Sequence, residues 1–356
     1  MWGHPGIGRY IRELVRALAL ECPNKNFGLV LPPYSCAGVP EGKNFFHERS
    51  HASIYGLREQ LEIPRVARKF RLFHVPHFNI PLLFSGRMVV TVHDLIYFHN
   101  LQGFYSPAAQ AYARFFFGVL AKKRCPVIAV SHHTKEDMLR HFRRITPDRI
   151  FVVPEAASPL FRKVERGGLL EDFCRRESLD HPFVLFVGGL KKHKNIPLLI
   201  DAMRRIRKRG LPHELILVGR PDARNTELLK QIVEAPFVRA VGERSDEELL
   251  FLYNLAEAFV MPSLYEGFGL PVLEAMGCGL PVIISKATSL PEVGGDAALY
   301  FDPRNVDALE EVLYNTLENT ELRKRMAEKS AEQARKFSWA EAARRTADVY
   351  DRVINA

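Results

Sequence analysis

Two glutamates eight positions apart, Glu266 and Glu274, flank the loop Gly267-Phe268-Gly269-Leu270 within FVMPSLYEGFGLPVLEAMGCGLPVII at 259–284. An apolar strand-like run at 258–261 breaks at Pro262-Ser263 and leads into that glycine loop. Pro271 suits the first turn of a helix, where its missing N–H is no loss. Gly277 and Gly279 end the helix before a second apolar run at 281–284. Strand, glycine loop, helix and strand make a βαβ unit whose helix N-terminus favours an anion, most often phosphate. A carboxylate beside a phosphate site is unfavourable unless it binds something else. Ionised glutamate only accepts hydrogen bonds, so it suits hydroxyl donors, and a vicinal diol offers two. The layout fits a ligand with a diphosphate in its middle and hydroxyls at both ends, the shape of a nucleotide-sugar. Two solvated surface glutamates are the plain alternative, weakened by the GFGLP between them.

The pattern E-G-F-G-L-P-x-L-E-A-M-x-x-G-x-P-V resembles the signature of the family 4, or group 1, glycosyltransferases, and the resemblance covers most of the chain. It implies an α/β protein of two facing Rossmann-like domains, the GT-B architecture. An interdomain cleft and a C-terminal helix crossing back to the N-terminal domain belong to that expectation. So does retention of anomeric configuration. In the family the lysine of a V-G-x-L-x-x-x-K-N segment contacts the donor diphosphate, and Lys194 matches it. Gly189 stands where many members carry an arginine, a charge that Lys191, Lys192 or His193 would have to replace. His93, in V-H-D-L, matches the family histidine near the reacting sugar carbon. As the residue after a parallel strand, it should point into the ligand crevice. By the same resemblance Ser131 and Glu155 face the acceptor. Glu155-Ala156-Ala157 replaces the more usual N-G-V, so the acceptor contacts are expected to differ. The loop around Val241 and Arg244 is expected to hold the base, largely through its backbone.

Composition narrows the class. The 356 residues are enough for two domains, and five cysteines without C-x-x-C spacing argue for a reducing compartment and against a disulfide framework or zinc site. No apolar run nears the roughly 18 residues of a membrane span, and no secretory leader is visible. The expected location is cytoplasmic, with peripheral membrane contact through a basic N-terminal half. Residues 1–160 hold 21 Lys+Arg against 11 Asp+Glu, while the whole chain is at +9. That half suits an anionic membrane surface or a phosphate-bearing acceptor. No basic-aromatic motif points to nucleic acid. No D-x-D occurs, so a metal-bridged diphosphate and any metal cofactor are not expected. The pair His132-His133 lacks partner ligands in sequence and reads as no metal site.

The elements that must position these residues alternate regularly. Apolar runs at 27–31, 72–75, 88–92, 127–130 and 150–153 read as buried parallel strands, with helices at 54–70, 105–122 and 132–142. A glycine loop at 3–8, including Gly6 and Gly8, runs into an amphipathic helix; the family's preceding strand is expected to be missing or lost to a misassigned start. A second series of strands at 183–188, 214–219, 237–242, 258–261, 281–284 and 298–301 alternates with helices near 195–209, 224–234, 245–255 and 271–278. Three helices at 306–317, 321–336 and 339–354 close the chain. The charged, weakly patterned stretch 166–180 is expected to contain the linker. The expected domains are an acceptor domain at 1–165, a nucleotide-sugar domain at 166–337 and a crossover helix at 338–356.

The expected activity is metal-independent, retaining transfer of a sugar from a nucleotide-diphospho-sugar to a glycan or lipid-linked acceptor. The wider flavour of the chain resembles bacterial mannosyltransferases of surface polysaccharide assembly, with GDP-mannose as first donor and UDP-sugars next. A GT-B nucleotide-sugar epimerase and a non-catalytic nucleotide-sugar-binding protein are the alternatives.

Overall fold

The computed structural model describes the chain except for residues 1–5, 34–38, 40–42, 54, 100–104 and 166. The part of the N-terminal glycine loop before Gly6 therefore lies outside the described residues. The chain forms two compact units, one of residues 1–155 with 338–356, the other of residues 156–337.

The first unit runs α1 (Ile7–Glu21), β1 (Phe27–Leu31), β2 (Phe45–Arg49), α2 (Glu59–Ala67), β3 (Phe73–Val75), β4 (Met88–Val92), α3 (Pro107–Lys123), β5 (Val127–Ala129), α4 (His132–His141) and β6 (Ile150–Val152). Strands β3 to β6 form a parallel sheet in sequence order, and β1 pairs in parallel with β2 in a sheet of its own. Strand β2 was not anticipated: FFHER carries two apolar residues and leaves most of its surface at least partly exposed. Burial on both faces explains why β4 is apolar except at Thr91, since all five of its residues are buried. Phe117 of α3 stacks on Phe78 and Phe142 at 5.0 and 5.4 Å between ring centroids, filling the space beside that sheet.

The second unit runs α5 (Gly168–Arg176), β7 (Phe183–Val187), α6 (Ile196–Lys208), β8 (Glu214–Val218), α7 (Thr226–Val233), β9 (Val238–Gly242), α8 (Asp246–Leu255), β10 (Ala258–Met261), α9 (Leu270–Gly277), β11 (Val282–Ser285), α10 (Leu290–Gly294), β12 (Leu299–Phe301), α11 (Val306–Glu318) and α12 (Thr320–Ala334). Its six-stranded parallel sheet has the order β12-β11-β10-β7-β8-β9. Read from the other edge this is 3-2-1-4-5-6, the doubly wound Rossmann order, with the switch point between β7 and β10. Helix α5 lies within 166–180, and Leu170 and Phe173, three apart, bury one face of it.

The last helix, α13 (Trp339–Asn355), belongs to the first unit and packs along α1. Trp339 meets Tyr10 at 5.9 Å, and Arg344 and Lys25 pair with Glu21 and Asp351 at 2.7 and 2.5 Å. Exposed pairs of this kind add little; the buried aromatic contact holds the helix. No helix among the described residues is long and apolar enough to cross a membrane.

Candidate active site

In doubly wound sheets ligands bind beyond the carboxyl ends of the strands at the switch point. In the second unit that places two loops together, one after β7 and one after β10. The first passes very close to the end of β8: a Cβ on Gly219 would sit 2.0 Å from the Gly188 carbonyl oxygen, and Gly219 has φ +138°. Only glycine fits there. The same loop is fastened to the second by the Asn195 amide, which donates to the Pro262 and Pro303 carbonyls at 3.2 and 2.8 Å. Leu264 N–H also donates to the His193 carbonyl at 2.8 Å.

This fastening brings Lys194 and Glu266 into contact. Lys194 Nζ lies 2.6 Å from Glu266 Oε1, with the two side chains 14% and 12% exposed. Ser263 Oγ donates to the same oxygen at 2.5 Å. The Glu266 backbone is held as firmly: its N–H donates to Thr288 Oγ1 at 3.0 Å, and Ser289 Oγ donates to the Glu266 and Phe268 carbonyls, each at 3.0 Å. Thr288 has φ +50°, an uncommon state for a β-branched residue. Gly269, φ +120°, turns the chain into α9, and Leu270 and Pro271 begin that helix. The loop Gly267 to Leu270 thus lies at a helix N-terminus, where first-turn N–H groups lack intrahelical partners. Ser263, Thr288 and Ser289 were missed by sequence reasoning; they act on Glu266 from outside the motif or through its backbone, and spacing within the motif cannot reveal that.

Glu274 stands apart from Glu266. It is 1% exposed and accepts from Tyr253 Oη at 2.9 Å. His193 cannot supply the charge missing at Gly189. Burial, with Lys194 and Lys191 adding to it, pushes its pKa down to about 2, so it is neutral. Val241 lies in β9, and the Arg244 guanidinium is engaged by Glu177 and Glu248 at 2.8 and 3.5 Å. A separate cavity of 730 Å³ opens beside Leu170, Tyr253, Glu257 and Arg323, away from the Glu266 loop.

The first unit carries the other predicted residues. Gly6 precedes α1, but Gly8 is buried in its first turn, so the glycine loop ends earlier than its sequence suggests. Ser131 is 1% exposed, and its hydroxyl caps α4 by accepting from Thr134 N–H at 3.0 Å. Glu155, 4% exposed, pairs with His93: Nδ1 to Oε1 is 3.0 Å, while His93 Nε2 faces the Pro76 carbonyl at 3.0 Å. A carboxylate and a carbonyl both require donors, so the ring is an imidazolium. Burial pulls the His93 pKa down, but the Glu155 bond and charge, with the Pro76 carbonyl and Asp94, outweigh it and leave it raised. Both ring nitrogens are therefore engaged, one by Glu155 and one by the Pro76 carbonyl. Tyr10 packs edge-on to the ring at 4.8 Å and bonds Thr91 Oγ1 at 2.9 Å. His74 links Thr91 to Tyr350 of α13 at 2.7 and 2.6 Å, and burial holds its pKa at about 3.

Comparison with known proteins identifies the family. The sequence profile "Glycosyl transferases group 1" matches residues 171–333, and "Glycosyltransferase Family 4" matches residues 5–158. The chain is similar to O-antigen chain mannosyltransferase B of Escherichia coli, with 30% identity over 97% of this chain and 95% of that protein. It is 27% identical over 79% of its length to the serotype-specific mannosyltransferase WbdA of Escherichia coli, spanning 35% of that longer protein. Anabaena Alr3699/HepE, solved with UDP and glucose, aligns over 98% of this chain and 97% of its own with TM-score 0.75 at 19% identity, a likeness of fold. The chain is a glycosyltransferase and belongs to the group 1 family, the family 4 enzymes of GT-B fold.

Proposed function

We propose that the enzyme transfers mannose from GDP-mannose, with retention and without a metal, to a hydroxyl of a glycan or lipid-linked acceptor in surface polysaccharide assembly. The observation that carries this reading is the Lys194–Glu266 pair at the switch point, beside the N-terminus of α9. A diphosphate competes with Glu266 for Lys194, and the displaced carboxylate then accepts the donor sugar's hydroxyls. Backbone N–H groups of Gly267 to Leu270 stabilise the departing diphosphate; preorganised donors of this kind supply much of an enzyme's rate. The bond from the anomeric carbon to the diphosphate oxygen breaks. The acceptor hydroxyl attacks from the same face, and a phosphate oxygen takes its proton. The name of the Escherichia coli relative supports mannose and the polysaccharide setting. The absence of D-x-D supports metal independence.

Glu274 is assigned the ribose diol, which requires its cover to open as nucleotide enters. A thermal-shift screen against GDP, UDP, ADP and their sugars, with and without EDTA, tests both assignments. One nucleotide is expected to raise Tm irrespective of EDTA, since a ligand at 100 times its Kd stabilises by about 2.7 kcal/mol. Glu274→Gln should retain its own Tm and lose most of that shift. No shift with any nucleotide overturns the reading, and donor turnover without acceptor would favour the epimerase.

The basic first unit is also assigned a contact with anionic membrane. Leu57 and Leu61, 89% and 67% exposed, stand among Arg58, Arg65 and Arg68 around α2. Basic side chains near such a surface each contribute about 1 kcal/mol. Co-sedimentation with phosphatidylglycerol vesicles, lost at high salt and absent with phosphatidylcholine, is the expected result; equal recovery with both lipids overturns it.

A further inference from the structure

In the first unit one buried carboxylate is surrounded by imidazoles. Asp137 of α4 is 0% exposed. Its Oδ2 lies 2.6 Å from His99 Nε2 and 3.5 Å from His133 Nε2. His133, Asp137 and His141 follow one another at four-residue spacing, so they share a helix face. His99 reaches the same point from the segment that follows the short turn Ile96–Phe98. One ligand atom each from His99, Asp137 and His141 lie within 4.8 Å of one another. Arg140 Nη1 donates to the other carboxylate oxygen, Oδ1, at 2.9 Å.

We infer that His99, Asp137 and His141 bind a divalent cation of the zinc or cobalt class, with His133 adjoining as a further imidazole. The partners that His133 lacks in sequence are supplied by the fold, four and eight residues along α4 and from a different loop. Imidazoles from two separate segments converge on one buried carboxylate, and a shared cation accounts for that convergence. Donor chemistry sets the class: imidazole suits zinc, cobalt, nickel and copper, whereas magnesium and calcium prefer oxygen cages. Metal–ligand distances of about 2.0–2.2 Å place tetrahedral ligand atoms roughly 3.4 Å apart. The 2.6 Å contact then lengthens and the 4.8 Å span shortens, both within reach of side-chain rotation. Arg140 plays the part that outer hydrogen bonds play around bound carboxylates, fixing Oδ1 so that Oδ2 faces the ion.

The site would tie the segment that begins at His93 to α4. That helix already holds the segment's other end, since Thr134 Oγ1 donates to the His93 carbonyl at 3.2 Å. The inference is independent of the nucleotide reading, because it concerns the protein and the metal alone. Full-length protein, stripped with chelator and dialysed, would be titrated with Co²⁺ without nucleotide and followed by visible absorption. One equivalent is expected to give the intense bands of low-coordinate cobalt, bleached by Zn²⁺ and not by Mg²⁺. His99→Ala and His141→Ala should each weaken binding about tenfold or more, while His132→Ala, next to the cluster and outside it, should bind as wild type. Circular dichroism melts of each variant separate lost binding from lost fold, and His141 lies at the surface. Only the weak bands of hydrated cobalt in the wild type, or undiminished binding in both cluster variants, overturns the site.

Discussion

Glu266→Ala is expected to lower kcat for sugar transfer by about a hundredfold to a thousandfold, the scale of losing one preorganised polar contact to the reacting charge, while tightening the binding of free nucleoside diphosphate. The second half of this prediction is the unusual one, and it follows from the ion pair. Lys194 Nζ is held 2.6 Å from Glu266 Oε1. Part of the energy of a diphosphate–lysine contact is therefore spent breaking an existing one. Removing the carboxylate removes that cost, and for a pair still partly open to water the gain is about 1 kcal/mol, about fivefold in Kd. Lys194→Ala is expected to act in the opposite sense on binding, weakening the nucleotide while also slowing transfer. The fold of both variants should survive, because neither residue belongs to the buried apolar cluster of the second unit. The checks are steady-state transfer kinetics and calorimetric titration of the nucleotide into each variant. Weaker nucleotide binding by Glu266→Ala would refute the competition for Lys194. Unchanged transfer would sink the assignment of Glu266 altogether.

That prediction draws on both what the chain displays in sequence and what it conceals. The sheets were legible because a strand covered on both faces is apolar nearly throughout, as β7 and β10 are entirely. The glycine loop was legible because a helix start next to a switch point demands particular residues at consecutive positions. Helix α5 was obscured by its charged side: GLLEDFCRR shows only Leu170 and Phe173 on its buried face. Strand β2 had no apolar run to announce it. The Lys194–Glu266 contact spans 72 positions and the His93–Glu155 contact 62, and no local period encodes either. Thr288 and Ser289 escaped for the same reason, since they act on the backbone of 266–268 from 21 to 23 positions away. The motif names the residues, and the fold decides which of them touch before a ligand does.

The His93–Glu155 pair yields the largest expected effect on stability. A charged pair this deeply placed is strongly missed when one partner goes, because the other charge is left buried; losses of about 3–5 kcal/mol are usual. Glu155→Gln is expected to destabilise the first unit on that scale at about pH 6, the ordinary range for histidine protonation. The sign of the pH dependence follows from the raised pKa of His93. A histidine whose folded pKa lies above its unfolded value contributes its full stability below the unfolded pKa. It loses that contribution as pH rises through the folded one. Above that window the wild-type ring is itself neutral, so the gap between wild type and Glu155→Gln should narrow. Urea unfolding of both proteins at about pH 6 and about pH 9 would measure it. A gap of the same size at both values would mean that His93 is neutral throughout, and that one of its two contacts is not the hydrogen bond its geometry indicates. The narrowing gap has a functional consequence as well. In the low-pH state both ring nitrogens are committed, one to Glu155 and one to the Pro76 carbonyl. In that state His93 offers a fixed positive charge rather than a proton acceptor. Loss of transfer in Glu155→Gln that exceeds the loss of folded protein would place that charge in the reaction.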